Sequence, residues 1–361
     1  MSPEPTMTQR GPADAEQGST VADRYILGPT LGSGGLAFVR VATDKVLGRT
    51  VAVKCMHPAL RKNSADVKRV HREAILAAAI SHPNVCMTLD AGTLADGSPF
   101  VVMERLSGTS VENRLRERKL AVPEALDIAI QTLAGLAAAH AAGILHRDVK
   151  PANILLVETE RGDRSLVKIL DFGAAHSASS FELTPAGLTV GTPQYLAPEQ
   201  ASGAHGVDQR ADVYAVGLLL YEMLTARRAF AGATYREILQ RVAAGDVVPL
   251  RTLCPDLPPV LQKAVARAMS IDRDFRYATA RDFLDALVPI IEELTRSRYV
   301  PPWALVAAPA YVQSRESSEV EALPRPAPPP PVARGSAPAL PEAAPVTQTV
   351  TVALPEPPVR R

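Results

Sequence analysis

The sequence predicts an α+β fold in two lobes, in which a small β-rich lobe with one key helix precedes a larger helical lobe. Short β-like runs separated by Gly, Asp and Lys dominate the chain from Tyr25 to Leu106. Long Ala- and Leu-rich segments with a helical pattern follow from Val122 onward. Because strands and helices are segregated along the chain, an α+β arrangement is favoured over a parallel βαβ sheet.

The individual elements follow from the same patterns. Three runs predict an antiparallel meander over 25–35, 37–45 and 49–56. A helical pattern over 65–80 ends at a His-Pro-Asn sequence, and two further strands are predicted over 85–92 and 98–106. Helices of the second lobe are predicted over 124–142, 211–225, 235–244, 259–269 and 280–294.

Proline is unevenly distributed and sets the limits of the folded part. The 361-residue chain has 32 prolines, of which 15 lie between residues 300 and 361. Such low complexity favours extended chain, so we expect 296–361 to be a disordered Pro/Ala-rich tail. Residues 1–22, rich in Pro, Gly, Ser, Thr and Gln, are also expected to be disordered. One domain then remains, with an N-lobe over 23–107 and a C-lobe over 108–295.

Charge and composition exclude several classes of protein. Lys+Arg 39 and Asp+Glu 38 give a net charge of +1, which argues against a nucleic-acid partner bound through its phosphates. No run of about 18 uncharged apolar residues predicts a membrane span. The three cysteines lack the spacing of a disulfide framework or a zinc site, and the N-terminus lacks the apolar core of a signal peptide. We therefore expect a cytoplasmic protein.

Two features of the N-lobe are suited to binding a nucleotide. A glycine-rich turn between two β-like runs lets backbone N–H groups approach phosphate oxygens. It consists of Leu31, Gly32, Ser33, Gly34, Gly35, Leu36, Ala37, Phe38 and Val39. Ala37 replaces the third glycine of a G-x-G-x-x-G pattern, so alone the segment also fits an ordinary hairpin turn. Lys54 ends an apolar strand, and Glu73 on the predicted helix could pair with it and aim it at the α- and β-phosphates.

The C-lobe carries the stronger signal. The sequence His-Arg-Asp-Val-Lys-Pro-Ala-Asn over 146–153 lies between a long Ala-rich helix and an apolar strand. Asp148 can accept a hydrogen bond from an attacking hydroxyl, Lys150 can neutralise a transferring phosphoryl group, and Asn153 offers an oxygen to a divalent cation. Asp171, in Lys-Ile-Leu-Asp-Phe-Gly, adds a carboxylate suited to Mg²⁺ that bridges phosphates. Chance co-occurrence of both patterns in this order is negligible.

These motifs resemble those of protein kinases, of the eukaryotic-like serine/threonine type common in bacteria, over roughly residues 25–291. The resemblance implies a protein kinase fold and transfer of the γ-phosphoryl group of ATP with Mg²⁺, for which Mn²⁺ could substitute. Thr192 and Glu199 lie in a segment that resembles the A-P-E region. Asp212 resembles the aspartate that braces the catalytic loop, and Arg276 resembles the partner of Glu199. Glu199, Asp212 and Arg276 are expected to be buried charges with a structural role.

The resemblance also implies a nucleotide pocket. Four apolar side chains would sandwich the adenine: Leu31, Val39, Ala52 and Leu155. Met103 would stand at the back of the pocket, and the backbone of Glu104 and Leu106 would hydrogen-bond the base. The apolar members could equally be simple core residues, and the two interpretations are compatible.

Substrate class and regulation are implied in the same way. Lys150, two residues after Asp148, is typical of the serine/threonine kinases, so protein substrates with Ser or Thr hydroxyls are expected. Arg147 would bind a phosphorylated residue of the activation segment, and autophosphorylation of Thr184 or Thr189 would order that segment. Two chains could pair transiently for this reaction.

Two alternatives compete with an active protein kinase. A pseudokinase or scaffold could act through a docking partner of the Pro-rich tail, although the tail is more simply an inert spacer. Pseudokinases usually lose one of four residues that are all present here, namely Lys54, Asp148, Asn153 and Asp171. A small-molecule phosphotransferase of related fold would lack the segments over 146–153 and 192–199.

Overall fold

An antiparallel sheet of six strands forms the N-lobe in the computed structural model, which describes residues 18–33, 37–56, 77–94, 97–159, 164–172, 193–203 and 206–304. The strand order is β1-β2-β3-β4-β6-β5. The strands are β1 (Thr20–Val21), β2 (Tyr25–Ser33), β3 (Ala37–Asp44), β4 (Arg49–Met56), β5 (Thr88–Thr93) and β6 (Pro99–Glu104). The predicted meander over β2, β3 and β4 is confirmed, and β6 pairs with both β4 and β5.

The two faces of this sheet differ because side chains alternate along each strand. One face carries Phe38, Val53, Phe100 and Val102, which are at most 5% exposed and lie in one apolar cluster. Burying one such side chain stabilises the fold by about 1.5–3 kcal/mol. Lys54 lies on the other face of β4, so that face is left for polar chemistry.

The C-lobe is built from helices and one small sheet. Within the described residues its helices are α1 (Val111–Glu117), α2 (Val122–Ala141), α3 (Pro198–Ala201), α4 (Arg210–Thr225), α5 (Tyr235–Ala244), α6 (Leu250–Leu253), α7 (Pro259–Ala268) and α8 (Ala280–Thr295). A three-stranded sheet contains β7 (Thr109–Ser110), β8 (Ile154–Glu158) and β9 (Ser165–Ile169) in that order. The five predicted helices are confirmed with ends within two residues, whereas α1, α3 and α6 are short and were not expected.

Helix ends follow from their local chemistry. Thr279 begins α8 by accepting a hydrogen bond from the N–H of Asp282, whose carboxylate accepts one from the N–H of Thr279 in return. Thr234 begins α5 in a similar way, and Gly245 ends it at a φ of +64°, which a residue without a Cβ adopts at little cost.

The core of the C-lobe lies where α2 packs against α4 and α8. Leu126, Ile130, Leu133 and Leu136 of α2 are at most 1% exposed. By length and composition α2 is the one helix among the described residues that could cross a membrane, and 67% of its most apolar stretch is buried inside the protein. Such burial is also the property of a core helix, so the finding is weak support for a membrane span.

Both predicted ends of the folded part need correction. Thr20–Val21 pairs with β2, and Val21 is 6% exposed, so order begins before residue 23. At the other end, a 3₁₀ turn at Pro302–Ala304 extends the ordered part beyond residue 295, and Pro302 is buried. The physical reason is the same at both ends: single apolar side chains, Val21 and Pro302, are buried within segments whose average composition is polar or Pro-rich. The division of the rest into lobes stays a prediction.

Other predictions fall outside the described residues. These include most of the predicted helix over 65–80, residues 1–17 and the tail from residue 305 onward.

Candidate active site

The segment over 146–153 holds Asp148 in place through two neighbouring side chains. Lys150 donates from Nζ to Asp148 Oδ2 at 2.7 Å. Asn153 donates from Nδ2 to Asp148 Oδ2 at 3.0 Å and to the Asp148 carbonyl oxygen at 2.8 Å. Because Pro151–Asn153 forms a 3₁₀ turn directly after Lys150, all three side chains converge. The carboxylate of Asp148 is thus fixed in orientation, with 22% of its side chain still exposed to a reactant.

The two lobes meet at an ion pair between Lys54 and Asp171. Lys54 Nζ lies 2.7 Å from Asp171 Oδ1. The side chain of Lys54 is 14% exposed and that of Asp171 is 36% exposed, so the pair lines a cleft. The sequence predicts Glu73 as the partner of Lys54, but Glu73 lies outside the described residues.

Two residues of the site adopt a left-handed backbone that side chains rarely take. Arg147 has a φ of +64° and Asp171 a φ of +57°. Such conformations cost about 1–3 kcal/mol each and persist only where surrounding contacts enforce them. Their position beside Asp148 and at the cleft is typical of a site in which geometry matters more than local stability.

Asp212 of α4 supplies the contacts that enforce the backbone at Arg147. Its Oδ1 accepts the N–H of Arg147 at 2.8 Å, and its Oδ2 accepts the N–H of His146 at 2.9 Å and Nε2 of His140 at 2.8 Å. Asp212 is 1% exposed. Burial alone would raise the pKa of Asp212, but His140 and the N–H of His146 hold it below the ordinary value of 3.8.

Glu199 and Arg276 form a second buried pair. Arg276 donates to the two carboxylate oxygens of Glu199 at 2.7 and 2.9 Å. Its remaining donors reach the carbonyl oxygens of Ser270, Arg210 and Ile271. Because every charge and donor is satisfied, this pair is an architectural contact that ties α3 to the loop before α8.

The strand registers bring the predicted adenine contacts onto one face. Val39 pairs with Lys54, and Ala52 pairs with Met103, so these four side chains share the face of the N-lobe sheet that reaches Asp171. As the neighbour of Val39, Phe38 points its side chain to the opposite face, into the apolar cluster. The prediction for Phe38 concerns its backbone N–H in the glycine-rich turn and stays a prediction.

The remaining pocket residues lie at the edge of the N-lobe sheet and on β8. The N–H of Glu104 donates to the Met87 carbonyl oxygen at 3.0 Å, so only the carbonyl oxygen of Glu104 is left for a base. Leu155 pairs with Lys168 across β8 and β9 and shares its face. Lys168 in turn reaches the Glu104 carboxylate at 2.7 Å, which places Leu155 on the side of Glu104 and Leu106. Leu31 is 52% exposed on β2, next to Gly32 and Ser33.

The donor set fits a divalent cation that is shared with phosphates. Asn153 uses Nδ2 to bind Asp148, which leaves its Oδ1 as the atom that can contact a cation. Asp171 adds a partly exposed carboxylate. Among the described residues no group of three or more His, Cys, Asp and Glu forms a closed metal cage. A site with one or two protein oxygens plus phosphate oxygens is the kind that Mg²⁺ favours.

Several predicted residues cannot be placed. Gly34, Gly35, Leu36, Glu73, Thr184, Thr189 and Thr192 lie outside the described residues. Their roles stay predictions.

Two histidines that support the catalytic loop, His140 and His146, were not predicted as site residues from the sequence. His140 binds Asp212, and His146 binds the Leu170 carbonyl oxygen through Nε2 at 2.8 Å while its Nδ1 accepts the N–H of Asp148 at 3.2 Å. These two bonds hold the His146 ring between the backbone of Leu170 and the backbone of Asp148. The available signal was a polar residue in an apolar helix, since His140 interrupts the Ala-rich α2.

Comparison with known proteins extends this geometry. The sequence matches the protein kinase domain family over residues 25–289. It is 38% identical over 276 residues to a probable serine/threonine-protein kinase of Streptomyces coelicolor, covering 73% of this chain and 39% of that protein. It is 34% identical over 295 residues to the serine/threonine-protein kinase pkn3 of Myxococcus xanthus, covering 80% of this chain and 54% of the relative.

The same likeness holds in three dimensions. The crystal structure of the PknI kinase domain of Mycobacterium tuberculosis, as a double mutant, superposes with a TM-score of 0.62 at 26% identity. The match covers 76% of this chain and 98% of that domain. The chain spans about two-fifths of the length of the Streptomyces relative, 39%, so the shared part is the kinase domain.

Proposed function

Because the chain belongs to the protein kinase family, in its bacterial serine/threonine branch, we propose that it transfers the γ-phosphoryl group of ATP to Ser or Thr hydroxyls of protein substrates. The family is one of ATP-dependent enzymes. The observation that carries the proposal for this chain is the convergence of Lys150 and Asn153 on the Asp148 carboxylate, with the Lys54–Asp171 pair in the same cleft.

Asp148 is the group that receives the substrate proton in this proposal. Its Oδ2 is held by Lys150 and Asn153, so the carboxylate is oriented before a hydroxyl arrives. Both contacts favour the charged carboxylate, which is the form that can accept a proton. Lys150 also lies where it can neutralise charge on the transferring phosphoryl group.

Lys54, Asp171 and Asn153 position the nucleotide. Asp171 and Asn153 Oδ1 would hold a divalent cation, for which we propose Mg²⁺ with Mn²⁺ as a substitute. When bound, it would supply positive charge that offsets the charge of the phosphates. The short Lys54–Asp171 contact places the ammonium group beside that position, where it can contact the α- and β-phosphates.

The test is phosphoryl transfer from labelled ATP to a generic Ser/Thr protein substrate. Asp148→Asn keeps the shape of the side chain but removes its basicity, and we expect a loss of about 10²–10⁴-fold in kcat with little change in the unfolding midpoint. Asp246→Asn, an exposed aspartate on the C-lobe surface, is the matched control and should be silent. Near-normal transfer by Asp148→Asn would overturn the role of Asp148. An inactive wild type would favour the alternative, a pseudokinase or scaffold that acts through the Pro-rich tail.

We further propose activation by autophosphorylation of Thr184 or Thr189. The guanidinium group of Arg147 makes no hydrogen bond or ion pair with any other described residue, so it is available to a phosphate group. Phosphopeptide mapping of active protein tests the proposal, with the Asp148→Asn protein as the unmodified control. If both threonines are unmodified in active protein, the proposal is wrong. A rate of modification that rises with protein concentration would support transfer between two transiently paired chains.

The location of the protein and the use of residues 305–361 are also proposals. We propose a cytoplasmic protein, which cell fractionation tests directly. Binding of a docking partner by the Pro-rich tail is tested by a pull-down with and without residues 305–361.

A further inference from the structure

We propose that residues 297–304, here called the strap, position the adenine-binding residues 104–106, here called the hinge, through contacts of Tyr299 and Trp303. The proposal rests on the proposed function, because it needs a nucleotide at the hinge. The strap follows α8 and lies beyond residue 289, where the match to the family ends. Its contacts are therefore a property of this chain that the family match does not describe.

The first half of the strap is fastened to the C-lobe. Tyr299 donates from its hydroxyl to Asp127 Oδ1 of α2 at 2.6 Å, and its N–H donates to Glu292 Oε1 of α8 at 2.9 Å. Arg164 donates to the Val300 carbonyl oxygen at 2.6 Å and lies over the Tyr299 ring, 4.9 Å from its centroid. Arg164 also pairs with Asp127. These contacts fix the path of the strap across α2 and away from α8.

The second half of the strap ends against the segment that precedes β5. Pro302 is buried, and the Trp303 ring lies 5.9 Å from the ring of His82, tilted by 58°. Burial and the nearby charge of Lys168 lower the pKa of His82, so the ring that Trp303 contacts is neutral at pH 7. A tilted ring pair of this kind adds a favourable contact beyond the burial of apolar area, so it favours one position of the strap against residue 82.

Residues 82–87, here called the connecting segment, lead from that contact to the hinge. Asn84 is anchored to β9, because its Nδ2 donates to the Val167 carbonyl oxygen at 2.8 Å and its carbonyl oxygen accepts the N–H of Ile169 at 2.8 Å. At the other end, the N–H of Met87 donates to Glu104 Oε1 at 2.8 Å, and the N–H of Glu104 donates to the Met87 carbonyl oxygen. The two ends of a six-residue segment thus touch the strap and the hinge.

Lys168, on β9 of the C-lobe, contacts both the hinge and the connecting segment. Its Nζ lies 2.7 Å from Glu104 Oε1 and 3.5 Å from the Val85 carbonyl oxygen, and the residue is 9% exposed. A shift of the connecting segment would therefore disturb a partly buried ion pair at the hinge as well as the Met87 contacts.

The consequence is a reciprocal coupling between strap and nucleotide. A docked strap holds His82, which favours the hinge geometry that binds adenine. By linkage, a bound nucleotide must then favour the docked strap by the same factor. Tyr299 and Trp303 act through the connecting segment and are positioning residues.

The full-length protein reports this coupling directly, because Trp303 is the single tryptophan of the chain. A non-hydrolysable ATP analogue with Mg²⁺ is titrated into the wild type, and binding is measured by calorimetry and by tryptophan emission. We expect a saturable emission change with the dissociation constant that calorimetry gives. Binding with no change in emission overturns the proposal.

Variants supply the reverse measurement. For Trp303→Ala we expect the dissociation constant of the analogue and the KM for ATP to rise about fivefold or more, with kcat changed less, since coupling factors of about 5–150-fold are usual. Trp303→Phe keeps an aromatic ring beside His82 and should recover most of the affinity. Phe275→Ala removes an aromatic ring that is 71% exposed on the C-lobe and is the matched control. Wild-type affinity in Trp303→Ala overturns the proposal.

Further variants separate this proposal from the proposed function. If Trp303→Ala fails to fold, Tyr299→Phe, which removes only the hydroxyl bonded to Asp127, is expected to weaken analogue binding, and unchanged binding counts against the strap. Asp148→Asn should transfer no phosphoryl group yet show the full emission change. Emission coupling without phosphoryl transfer in the wild type overturns the kinase proposal alone, whereas absence of nucleotide binding overturns both.

Discussion

Asp212→Asn tests whether the buried carboxylate of α4 holds the catalytic loop. The substitution keeps the size and shape of the side chain but converts one of two acceptor oxygens into a donor. In the structure Oδ1 accepts from Arg147, and Oδ2 accepts from His146 and His140. Whichever way the amide of the variant is turned, one backbone N–H loses its acceptor and faces another donor.

The expected loss of stability follows from the number of donors left without an acceptor. One buried N–H without a partner costs about 1–3 kcal/mol, and this is the expected loss in the free energy of unfolding for Asp212→Asn. Asp212→Ala strands all three donors, and removal of one partner from a buried charged group costs about 3–5 kcal/mol. Because Arg147 holds a left-handed backbone one residue before Asp148, a shift of the loop by about 1 Å should also lower kcat by about 100-fold.

Urea unfolding at several pH values, with kcat measured in parallel, provides the assay. The pKa of Asp212 lies below 3.8 in the folded protein. A lowered carboxyl pKa contributes stability that is present above the unfolded value and is lost as the pH falls through the folded value. The difference between wild type and Asp212→Asn should therefore stay constant down to about pH 5 and shrink as the pH falls through 3.8 and below. An unchanged midpoint and kcat in the variant at pH 7 would refute the reasoning.

Two further substitutions test close packing and buried charge. Gly135→Ala on α2 would place its Cβ 2.7 Å from Ile169 Cδ1. We expect a loss of about 1–3 kcal/mol in the free energy of unfolding, although alanine has the higher helix propensity. A stabilised variant would contradict this expectation. Glu199→Gln leaves Arg276, whose side chain is 0% exposed, without a counter-charge, and should cost about 3–5 kcal/mol by urea unfolding. The control is Asp285→Asn, which removes an exposed i,i+4 ion pair with Arg281 and should change the free energy of unfolding by less than about 1 kcal/mol. Equal effects of Glu199→Gln and Asp285→Asn would refute the argument from burial.

The sequence patterns predict the elements well where one face of an element is buried. Alternation in β3 and β4 and the long apolar α2 define their ends because burial leaves little freedom of register. The prediction was less accurate at residues 85–87, which were expected to begin β5. Val85 instead bridges to Ile169 of β9, a partner about 80 residues later that no local pattern could indicate.

In the site, too, contacts between residues close in sequence could be predicted and contacts between distant residues could not. The motif around Asp148 could be predicted because Lys150 and Asn153 lie close to it in the sequence. The contact of Lys54 with Asp171 could not be derived from the sequence alone, because it depends on how the lobes meet. The predicted pairing of Lys54 with Glu73 lies outside the described residues and stays a prediction. Polar residues in apolar helices were the neglected signal. His140 interrupts the Ala-rich α2, and in the structure it contacts Asp212.

Residues 168–171 connect the nucleotide-binding part of the site to the catalytic loop. Lys168 bonds the hinge through Glu104, the backbone of Ile169 holds the connecting segment, and Asp171 contacts Lys54. Leu170 lies between them, and its N–H and carbonyl oxygen bind Asn153 and His146 of the catalytic loop. Four consecutive residues thus bind four separate parts of the site.

We expect a displacement of one of them to shift the others, because all four make their contacts from one short stretch of backbone. Substitutions at the hinge and in the catalytic loop share this stretch and are expected to deviate from additivity, by about 0.5–3 kcal/mol for groups in one network. Asp148 and Lys54 belong to different lobes, yet Asp148 is held by Asn153, which accepts the N–H of Leu170, and Lys54 contacts Asp171, the residue after Leu170. The cleft therefore behaves as one cooperative unit in which the strand end, more than either lobe, sets the geometry.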